Sequence, residues 1–225
     1  MVPVSIAIDG PAGAGKSTVA KLVAKRLNLM YVDTGAMYRA VAYLCVKDGV
    51  DGRVERAVRE LLDTHKITFE QGADNGLRVF VDGVEVTARL RDPEVSALVS
   101  TVATHPAVRS QLTDWQRDFA ARHSVVMDGR DIGTVVLPNA TVKVFLTAAP
   151  EERARRRQQE YHQMGYEVAF DEIVRSVIER DKKDSERALA PLREAEDAVR
   201  IDSTDKPIEY VVDEIVQLVE NAHVR

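Results

Sequence analysis

Short apolar segments alternate with longer amphipathic segments along most of this chain. Residues 4–8 are an apolar run of strand length, and apolar side chains then recur at helical spacing over 16–27. The same order returns further on, with strands predicted at 30–32, 124–128, 142–146 and 200–202 and helices at 33–48, 53–63, 93–104, 107–122 and 207–221. Alternation of this kind is typical of a parallel sheet covered by helices, so we predict a three-layer α/β fold.

The pattern changes between residues 63 and 95, where short segments of strand character follow one another. Strands are predicted at 66–69, 77–81 and 85–87, and Asp82-Gly83 is a strong signal for a two-residue hairpin turn. We therefore predict a small antiparallel subdomain at about 63–95, inserted into a core formed by 1–62 and 96–225. Insertions of this length usually have a function, and the alternative is that this insertion has none of its own.

Composition narrows the class of protein. The 225 residues are enough for one α/β domain with an insertion, and a hydrophobic fraction of 45% supports a sizeable core. The net charge of −5 argues against nucleic acid as the main partner, and no apolar run approaches the length of a membrane span. The lone Cys45 favours a reducing compartment. We expect a cytoplasmic protein with small-molecule partners.

A glycine-rich loop follows the first strand and fits the pattern G-x-x-x-x-G-K-[ST]. A predicted strand precedes this loop and a predicted helix follows it. In that context the backbone N–H groups of the loop and the N-terminus of the helix face a bound phosphate. Lys16 adds a full positive charge, and the Ser17 hydroxyl is suited to a magnesium ion on the phosphates. The alternative is that this segment is a glycine-rich turn that matches the pattern by chance and binds no nucleotide. We predict a site for a nucleoside triphosphate made of Gly10, Pro11, Ala12, Gly13, Ala14, Gly15, Lys16, Ser17 and Thr18.

Polar residues also follow two further strands, at 33–35 and at 128–131. The carboxyl ends of parallel strands meet at one edge of a sheet, so both segments should converge with the glycine-rich loop on one crevice. Asp128 could orient magnesium or its water shell there, or it could simply cap the next turn. Arg130 needs an anionic partner at such a place. Arg39, on the helix that starts at the crevice, could meet a phosphate or lie at the surface.

A dense run of arginines begins the helix after strand 142–146 and is followed by Gly165. We interpret residues 151–170 as a helical lid that faces phosphate, against the alternative of a solvated helix with Glu–Arg pairs. On the next helix the spacing of Arg180, Asp184 and Arg187 predicts a single face, provided that the helix continues that far. Ser185 could instead cap a new short helix.

Four segments together closely resemble bacterial cytidylate kinases: IDGPAGAGKS at 8–17, DTGAMYR at 33–39, DGRDIGT at 128–134, and ERD at 179–181 with APL at 190–192. The similarity runs over nearly the whole chain, and the second and third segments are far more specific than the glycine-rich loop. The resemblance implies a P-loop NTPase fold in a single nucleoside monophosphate kinase domain over 1–225. It implies phosphorylation of CMP and dCMP by ATP with Mg²⁺ in a cytoplasmic monomer, with the inserted subdomain on the monophosphate side.

The resemblance also implies roles for individual residues. The acceptor phosphate would be held by Arg39, Arg130 and Arg180, with Thr34 near the nucleotide. The edge of the cytosine would meet Ser100, Arg109 and Asp131, with Arg187 nearby, and the ribose hydroxyls would meet Asp184. Charge at the transferring phosphoryl group would be stabilised by Lys16 and by the lid arginines Arg156 and Arg157, with Asp128 as an organiser. The additional Arg155 leaves open which lid arginine contacts phosphate.

Two other interpretations stay open on the sequence alone. The first is a P-loop kinase for another small acceptor, such as AMP, shikimate or dephospho-coenzyme A. The second is a P-loop regulatory ATPase, which would hydrolyse ATP without an acceptor. A GTPase is disfavoured because the sequence has no Asn-Lys-x-Asp motif for the base.

Overall fold

The computed structural model describes residues 3–72 and 76–223. In chain order the strands are β1 (Ser5–Asp9), β2 (Met30–Asp33), β3 (Ile67–Gln71), β4 (Leu77–Val81), β5 (Val84–Glu85), β6 (Val125–Gly129), β7 (Val142–Thr147) and β8 (Val199–Asp202). The α-helices are α1 (Lys16–Leu27), α2 (Thr34–Asp48), α3 (Glu55–Thr64), α4 (Pro93–Val102), α5 (Pro106–Arg122), α6 (Pro150–Gln163), α7 (Phe170–Glu186) and α8 (Ile208–His223). No helix within these residues has the length and apolar character needed to cross a membrane.

The five strands of the core form one parallel sheet in the order β2-β6-β1-β7-β8. Successive residues of β1 face opposite sides, as the pleat requires: Ala7 packs with α2, α3 and α5, whereas Ile6 and Ile8 pack with α1 and α8. Both faces are covered, which explains why the core strands are almost continuously apolar. The predicted three-layer α/β fold with a central parallel sheet is confirmed.

Strand register brings the polar strand ends together. Asp128 lies opposite Ile8 on one side and opposite Asp33 on the other. The helix after β2 begins directly at this edge, because the Asp33 carboxylate accepts a hydrogen bond from the Ala36 N–H at 2.9 Å and caps α2. The carboxyl ends of β1, β2 and β6 thus form one crevice, as the strand-end argument predicts.

The inserted strands β3, β4 and β5 form a separate antiparallel sheet. Asp82 and Gly83 have φ of 52° and 81°, the positive values that a tight two-residue hairpin needs. The predicted third strand at 85–87 is wrong in its bounds, because the chain turns into a 3-10 helix (Thr87–Arg91). The ring of Phe69 on β3 meets Trp115 on α5 edge-on at 5.5 Å, so the small sheet is packed against the core.

Helix α7 corrects one expectation. It ends at Glu186, and Arg187 already has an extended backbone with φ −61° and ψ 140°. Arg180 and Asp184 therefore share the helix, but Arg187 does not belong to their helical face, and Ser185 lies within α7 and starts no new helix. The chain leaves the helix because Arg187 turns to other partners: its Nε donates to the Ala190 carbonyl at 2.7 Å.

His65 joins the inserted sheet to the core. Its Nδ1 lies 2.7 Å from Asp82 in the hairpin turn, and its Nε2 lies 2.8 Å from Asp48 at the end of α2. Lys47 faces the same carboxylates, at 3.8 Å from Asp48 and 3.7 Å from Asp82. The hydrogen bond with Asp82 is the main reason that the pKa of His65 is raised above its usual 6.5, and Asp48 adds to it. Only the protonated ring can donate to both carboxylates at once.

This contact predicts a pH-dependent stability. Because the folded pKa of His65 is raised, its contribution should be fully present below about pH 6.5 and be lost as pH rises through the raised value. We expect His65→Gln to lower Tm by about 2 °C in the acid range and by almost nothing above about pH 8. Melting curves of both proteins against pH measure this, with His123→Gln at an exposed position as control. A Tm difference that stays constant with pH would contradict it.

Candidate active site

The glycine-rich loop curls around the N-terminus of α1. Gly10 has φ of 149°, and a Cβ there would lie 1.9 Å from the Leu146 carbonyl oxygen, so only glycine allows β1 to turn this close to β7. Gly15, with φ of 88°, precedes the first helical residue, Lys16. The loop therefore directs the start of α1 into the crevice, which is the arrangement that binds phosphate.

Lys16 is buried at the base of this loop. Its Nζ donates to the Pro11 carbonyl at 2.7 Å. Burial, and after it the positive charge of Arg130, lower the pKa of Lys16 to about 7. A buried ammonium close to another cation is costly in isolation, and an anionic ligand would relieve that cost. The loop is thus electrostatically suited to a triphosphate.

Asp128 and Ser17 form a small cluster of oxygen atoms beside the loop. The Ser17 hydroxyl donates to one carboxylate oxygen of Asp128 at 2.9 Å, and the Tyr31 hydroxyl donates to the other at 2.8 Å. Burial, and then the charge of Asp33, raise the pKa of Asp128. Sequence reasoning missed Tyr31, which its apolar strand gave no reason to single out.

These oxygen atoms suit Mg²⁺. Over the described part of the chain, no three or more His, Cys, Asp or Glu side chains are grouped to hold a metal by themselves. Magnesium in phosphate sites is usually held by one or two protein oxygens together with water and the phosphates, so a hydroxyl and a buried carboxylate fit that pattern. Ser17 and Asp128 are therefore the residues that could hold it.

Three arginines from distant parts of the chain lie around the crevice. Arg39 pairs with Asp33 at 2.7 Å, and Arg130 pairs with Asp184 at 2.7 Å. Burial, and then the charge of Arg130, lower the pKa of Arg180 to about 10; Arg39 also contributes to this field. The Nε atoms of Arg39 and Arg180 are buried and have no hydrogen-bond partner among the residues that the structure describes. Unpartnered buried donors in a cationic cluster favour an anion as the missing partner.

Asp131 lies between two further arginines. One of its carboxylate oxygens pairs with Arg109, and the other accepts from Arg187 at 3.1 Å. Arg109 also donates to the Ala103 carbonyl at 3.2 Å. Although Arg187 lies beyond the end of α7, it contacts Asp131, one of the residues near which the resemblance places it. The group offers a buried acceptor flanked by fixed donors, which is suitable for a polar heterocycle.

Asp9 is a second residue that sequence reasoning missed. It ends β1, and its carboxylate accepts hydrogen bonds from the N–H groups of Ile132 at 2.8 Å and Gly133 at 2.7 Å. These are the residues after Asp131, so Asp9 fixes the backbone that presents that carboxylate. Burial raises the pKa of Asp9 to about 6 despite the two backbone bonds. The only signal in the sequence is a carboxylate at the end of an apolar strand.

The other expected residues differ in their distance from the crevice. The Thr34 hydroxyl donates to the Asp128 carbonyl at 2.7 Å, which fixes it beside the cluster of oxygen atoms. Asp184 is buried and pairs with Arg130. Burial acts to raise its pKa, but the charge of Arg130, the hydrogen bond from Arg130 and the charges of nearby arginines together hold the pKa below its usual value. Ser100 is half-buried on α4, three residues before the carbonyl that holds Arg109, and in the described structure its hydroxyl makes no hydrogen bond to Asp131.

The lid arginines have different surroundings. Arg156 donates to the Ser203 carbonyl at 2.9 Å, and its Nη1 lies 3.4 Å from where a Cβ on Gly15 would be, so it lies against the glycine-rich loop. Arg157 pairs with Glu160 at 2.8 Å. Arg155 is mostly exposed and pairs within its own helix. Among Arg155, Arg156 and Arg157, the contact with the loop favours Arg156 as the one nearest to a triphosphate.

Comparison with known proteins adds the family. The family model described as cytidylate kinase matches residues 6–221. The cytidylate kinase of Pelotomaculum thermopropionicum is 51% identical over 212 residues, which cover 94% of this chain and 94% of that protein. The cytidylate kinase of Bacillus subtilis is 49% identical over 216 residues and 96% of both chains. An uncharacterized protein from Eubacterium ventriosum ATCC 27560 has a similar fold, with a TM-score of 0.53 and 14% identity over 96% of this chain and 98% of that one.

Proposed function

The chain belongs to the cytidylate kinase family, and we propose that the crevice at the carboxyl edge of its sheet transfers a phosphoryl group from magnesium-bound ATP to CMP or dCMP. The enzyme is a nucleoside monophosphate kinase that phosphorylates CMP or dCMP. This follows from the family match and from relatives that are about half identical over nearly the whole chain and are named cytidylate kinase. The observation that supports the site is the gathering of Arg39, Arg130 and Arg180 opposite the glycine-rich loop.

On the donor side, the glycine-rich loop would bind the triphosphate. Phosphate oxygens would replace the Pro11 contact of Lys16 and stabilise its positive charge, and Arg156 of the lid helix lies against the same loop. Bound Mg²⁺, held through Ser17 and Asp128, would neutralise charge that develops on the phosphate oxygens. Asp128 acts as an organiser and not as a base, because an acceptor phosphate is already a nucleophile.

On the acceptor side, the three arginines would bind the phosphate of CMP. The unpartnered Nε atoms of Arg39 and Arg180 supply hydrogen bonds directed at one anion, and Arg130 adds its charge from a position held by Asp184. Thr34 would lie near the same nucleotide, and Asp184 would meet its ribose hydroxyls. Cations of this kind also turn the acceptor phosphate toward the donor.

The base would be recognised by Asp131 together with Arg109, Arg187 and Ser100. Cytosine presents an amino donor at position 4 and acceptors at N3 and O2, and a carboxylate between two guanidinium groups supplies the complementary set. Uracil has an acceptor at position 4 and would leave Asp131 facing a lone pair. Polar pairing of this kind can reject the wrong base by about 10⁴.

Phosphoryl transfer itself needs position and charge more than covalent help. We propose that the chain works as a single domain, in which the insertion at 63–95 closes on the monophosphate and residues 151–170 close on ATP. Closure over both nucleotides would exclude water from the transferred group. We also propose that the enzyme is a cytoplasmic monomer whose partners are these nucleotides and not nucleic acid.

One set of measurements tests the proposal. Steady-state rates with ATP and Mg²⁺ should be high for CMP and dCMP, low for UMP, and lowest for AMP, shikimate and dephospho-coenzyme A. Titration calorimetry should register binding of CMP to the protein. No heat with CMP, or ATP hydrolysis that is as fast without an acceptor as with one, would contradict the proposal and favour a regulatory ATPase.

Arg130→Ala should separate the two nucleotide sites. We expect the Kd of CMP to rise about 100-fold, because a guanidinium that faces the acceptor phosphate is lost, while the Kd of ATP changes by less than about threefold. Calorimetric titration of each nucleotide measures both. Arg130→Lys keeps the positive charge next to Asp184 but lacks the planar guanidinium. Its Kd for CMP should therefore lie between that of the unmodified enzyme and that of Arg130→Ala. Equal losses for CMP and ATP would place Arg130 outside the acceptor site.

A further inference from the structure

Arg153 connects three segments of the active site through one buried guanidinium. It lies on α6 and is 4% exposed. Its Nε donates to the Ala148 carbonyl at 2.9 Å, its Nη1 donates to the Ala12 carbonyl at 3.1 Å, and its Nη2 pairs with Asp181 at 2.6 Å. The three acceptors belong to the end of the β7 segment, to the glycine-rich loop and to α7. No role for Arg153 followed from the sequence, in which it is one arginine of a charged run.

The contact with Ala12 orients the loop that holds the donor. The C=O and N–H groups of one planar trans peptide point in opposite directions. Because the Ala12 carbonyl points at Arg153, the Gly13 N–H of the same peptide points away from Arg153. A Cβ on Gly13 would lie 3.0 Å from the Cβ of Arg153, so the two residues are in close contact. Arg153 thus fixes the orientation of the peptide between Ala12 and Gly13 in the glycine-rich loop.

The contact with Asp181 orients the helix that holds the acceptor. Asp181 directly follows Arg180. Within the described part of the chain, the Nε of Arg180 and the second carboxylate oxygen of Asp181 are both buried without a hydrogen-bond partner. The Arg153 ion pair therefore supplies the positive charge that this carboxylate needs, and it holds the turn of α7 that carries Arg180.

We propose that Arg153 is a positioning residue that holds the glycine-rich loop and Arg180 at the separation required for phosphoryl transfer. The inference rests on the proposed function, since it takes the loop as the donor site and Arg180 as part of the acceptor site. A displacement of about 1 Å between reacting groups can reduce the rate about 100-fold without removing a contact to either substrate. Lysine cannot replace Arg153, because Nε, Nη1 and Nη2 of the guanidinium reach three separate acceptors, whereas an ammonium carries its three donors on one nitrogen.

The test compares Arg153→Lys, Asp181→Asn and the double variant with the unmodified enzyme. For Arg153→Lys we expect kcat to fall about 100-fold and both KM values to stay within about threefold, because position is lost while binding groups remain. Asp181→Asn should lower kcat about tenfold, and the double variant should be no slower than Arg153→Lys, because both changes break one link. Active sites are counted by CMP titration, so that unfolded protein does not lower kcat.

Arg175→Lys is the matched control, since Arg175 is an exposed arginine of α7 whose side chain donates to the Asp171 carbonyl of its own helix. Its kcat should equal that of the unmodified enzyme. If Arg153→Lys fails to fold, Asp181→Asn, with nearly the same shape, decides the question through its kcat.

Several results would overturn the inference. The first is a kcat of Arg153→Lys within about twofold of that of the unmodified enzyme, or the same result for Asp181→Asn where that variant decides. The second is a rise in KM in place of a fall in kcat. The third is a double variant whose loss of kcat equals the product of the two single losses. An unmodified enzyme that does not phosphorylate CMP would instead contradict the proposed function, so the two failures are distinguishable.

Discussion

Lys16→Ala should lower kcat by about 10³-fold or more in a protein that remains folded. The change removes a buried charge from the base of the glycine-rich loop, where negative charge develops during transfer. In the folded chain Lys16 donates to the Pro11 carbonyl, and its ammonium is desolvated enough that its pKa falls to about 7. Its loss therefore removes little stability. A coupled assay with ATP and CMP measures the rate, and thermal melting measures the fold.

Lys25→Ala is the matched control for this prediction. Lys25 lies on the same helix, is exposed and is near its last turn, so the same substitution there should leave the rate unchanged. Near-normal turnover of Lys16→Ala would remove the glycine-rich loop from the mechanism. A lost rate accompanied by a collapse of Tm would show that Lys16 supports the fold instead.

The crevice was predictable where function depends on local sequence and on a general rule of sheets. A strand, a glycine-rich turn and a helix start are contiguous, so the geometry around Lys16 follows from neighbouring residues. The convergence of Asp33 and Asp128 follows from parallel strands whose carboxyl ends share an edge. Neither the geometry around Lys16 nor the convergence of the strand ends requires knowledge of contacts between distant parts of the chain. The register that pairs Asp33 with Asp128 agrees with them.

The residues that were missed depend on contacts between distant parts of the chain. Asp9 holds the N–H of Gly133, and Arg153 holds the Ala12 carbonyl; these pairs are 124 and 141 residues apart. In the sequence Asp9 is one polar residue at a strand end and Arg153 one arginine among several. Burial distinguishes them from their neighbours, and burial at a polar position follows from tertiary packing and not from periodicity.

The end of α7 shows the same limit. Periodicity alone extends the helix through Arg187, but the chain leaves it after Glu186 and brings Arg187 to Asp131 at 3.1 Å. Pro191, which cannot continue a helix, follows shortly after. The ion pair and the hydrogen bond from Arg187 to Ala190 stabilise the extended backbone. Tertiary contacts thus decide a boundary that local propensity leaves open.

Asp131→Asn should remove most of the discrimination between CMP and UMP. The carboxylate can only accept hydrogen bonds, so it suits the amino group of cytosine and leaves the position 4 oxygen of uracil unpaired. An asparagine amide offers both an oxygen and an N–H₂ group, and it can therefore satisfy either base. We expect the ratio of kcat/KM for CMP to that for UMP to fall by about 10³, from steady-state rates of both acceptors with saturating ATP.

Asp184→Asn separates base recognition from general support of the site. Asp184 is a buried carboxylate of the same crevice and pairs with Arg130, as Asp131 pairs with Arg109 and Arg187. Because it would meet the ribose, which CMP and UMP share, its replacement should lower both rates by the same factor. If Asp131→Asn also lowers both rates equally, the carboxylate only holds the two arginines in place. A loss confined to CMP, with UMP unchanged or improved, requires contact between Asp131 and position 4 of the base.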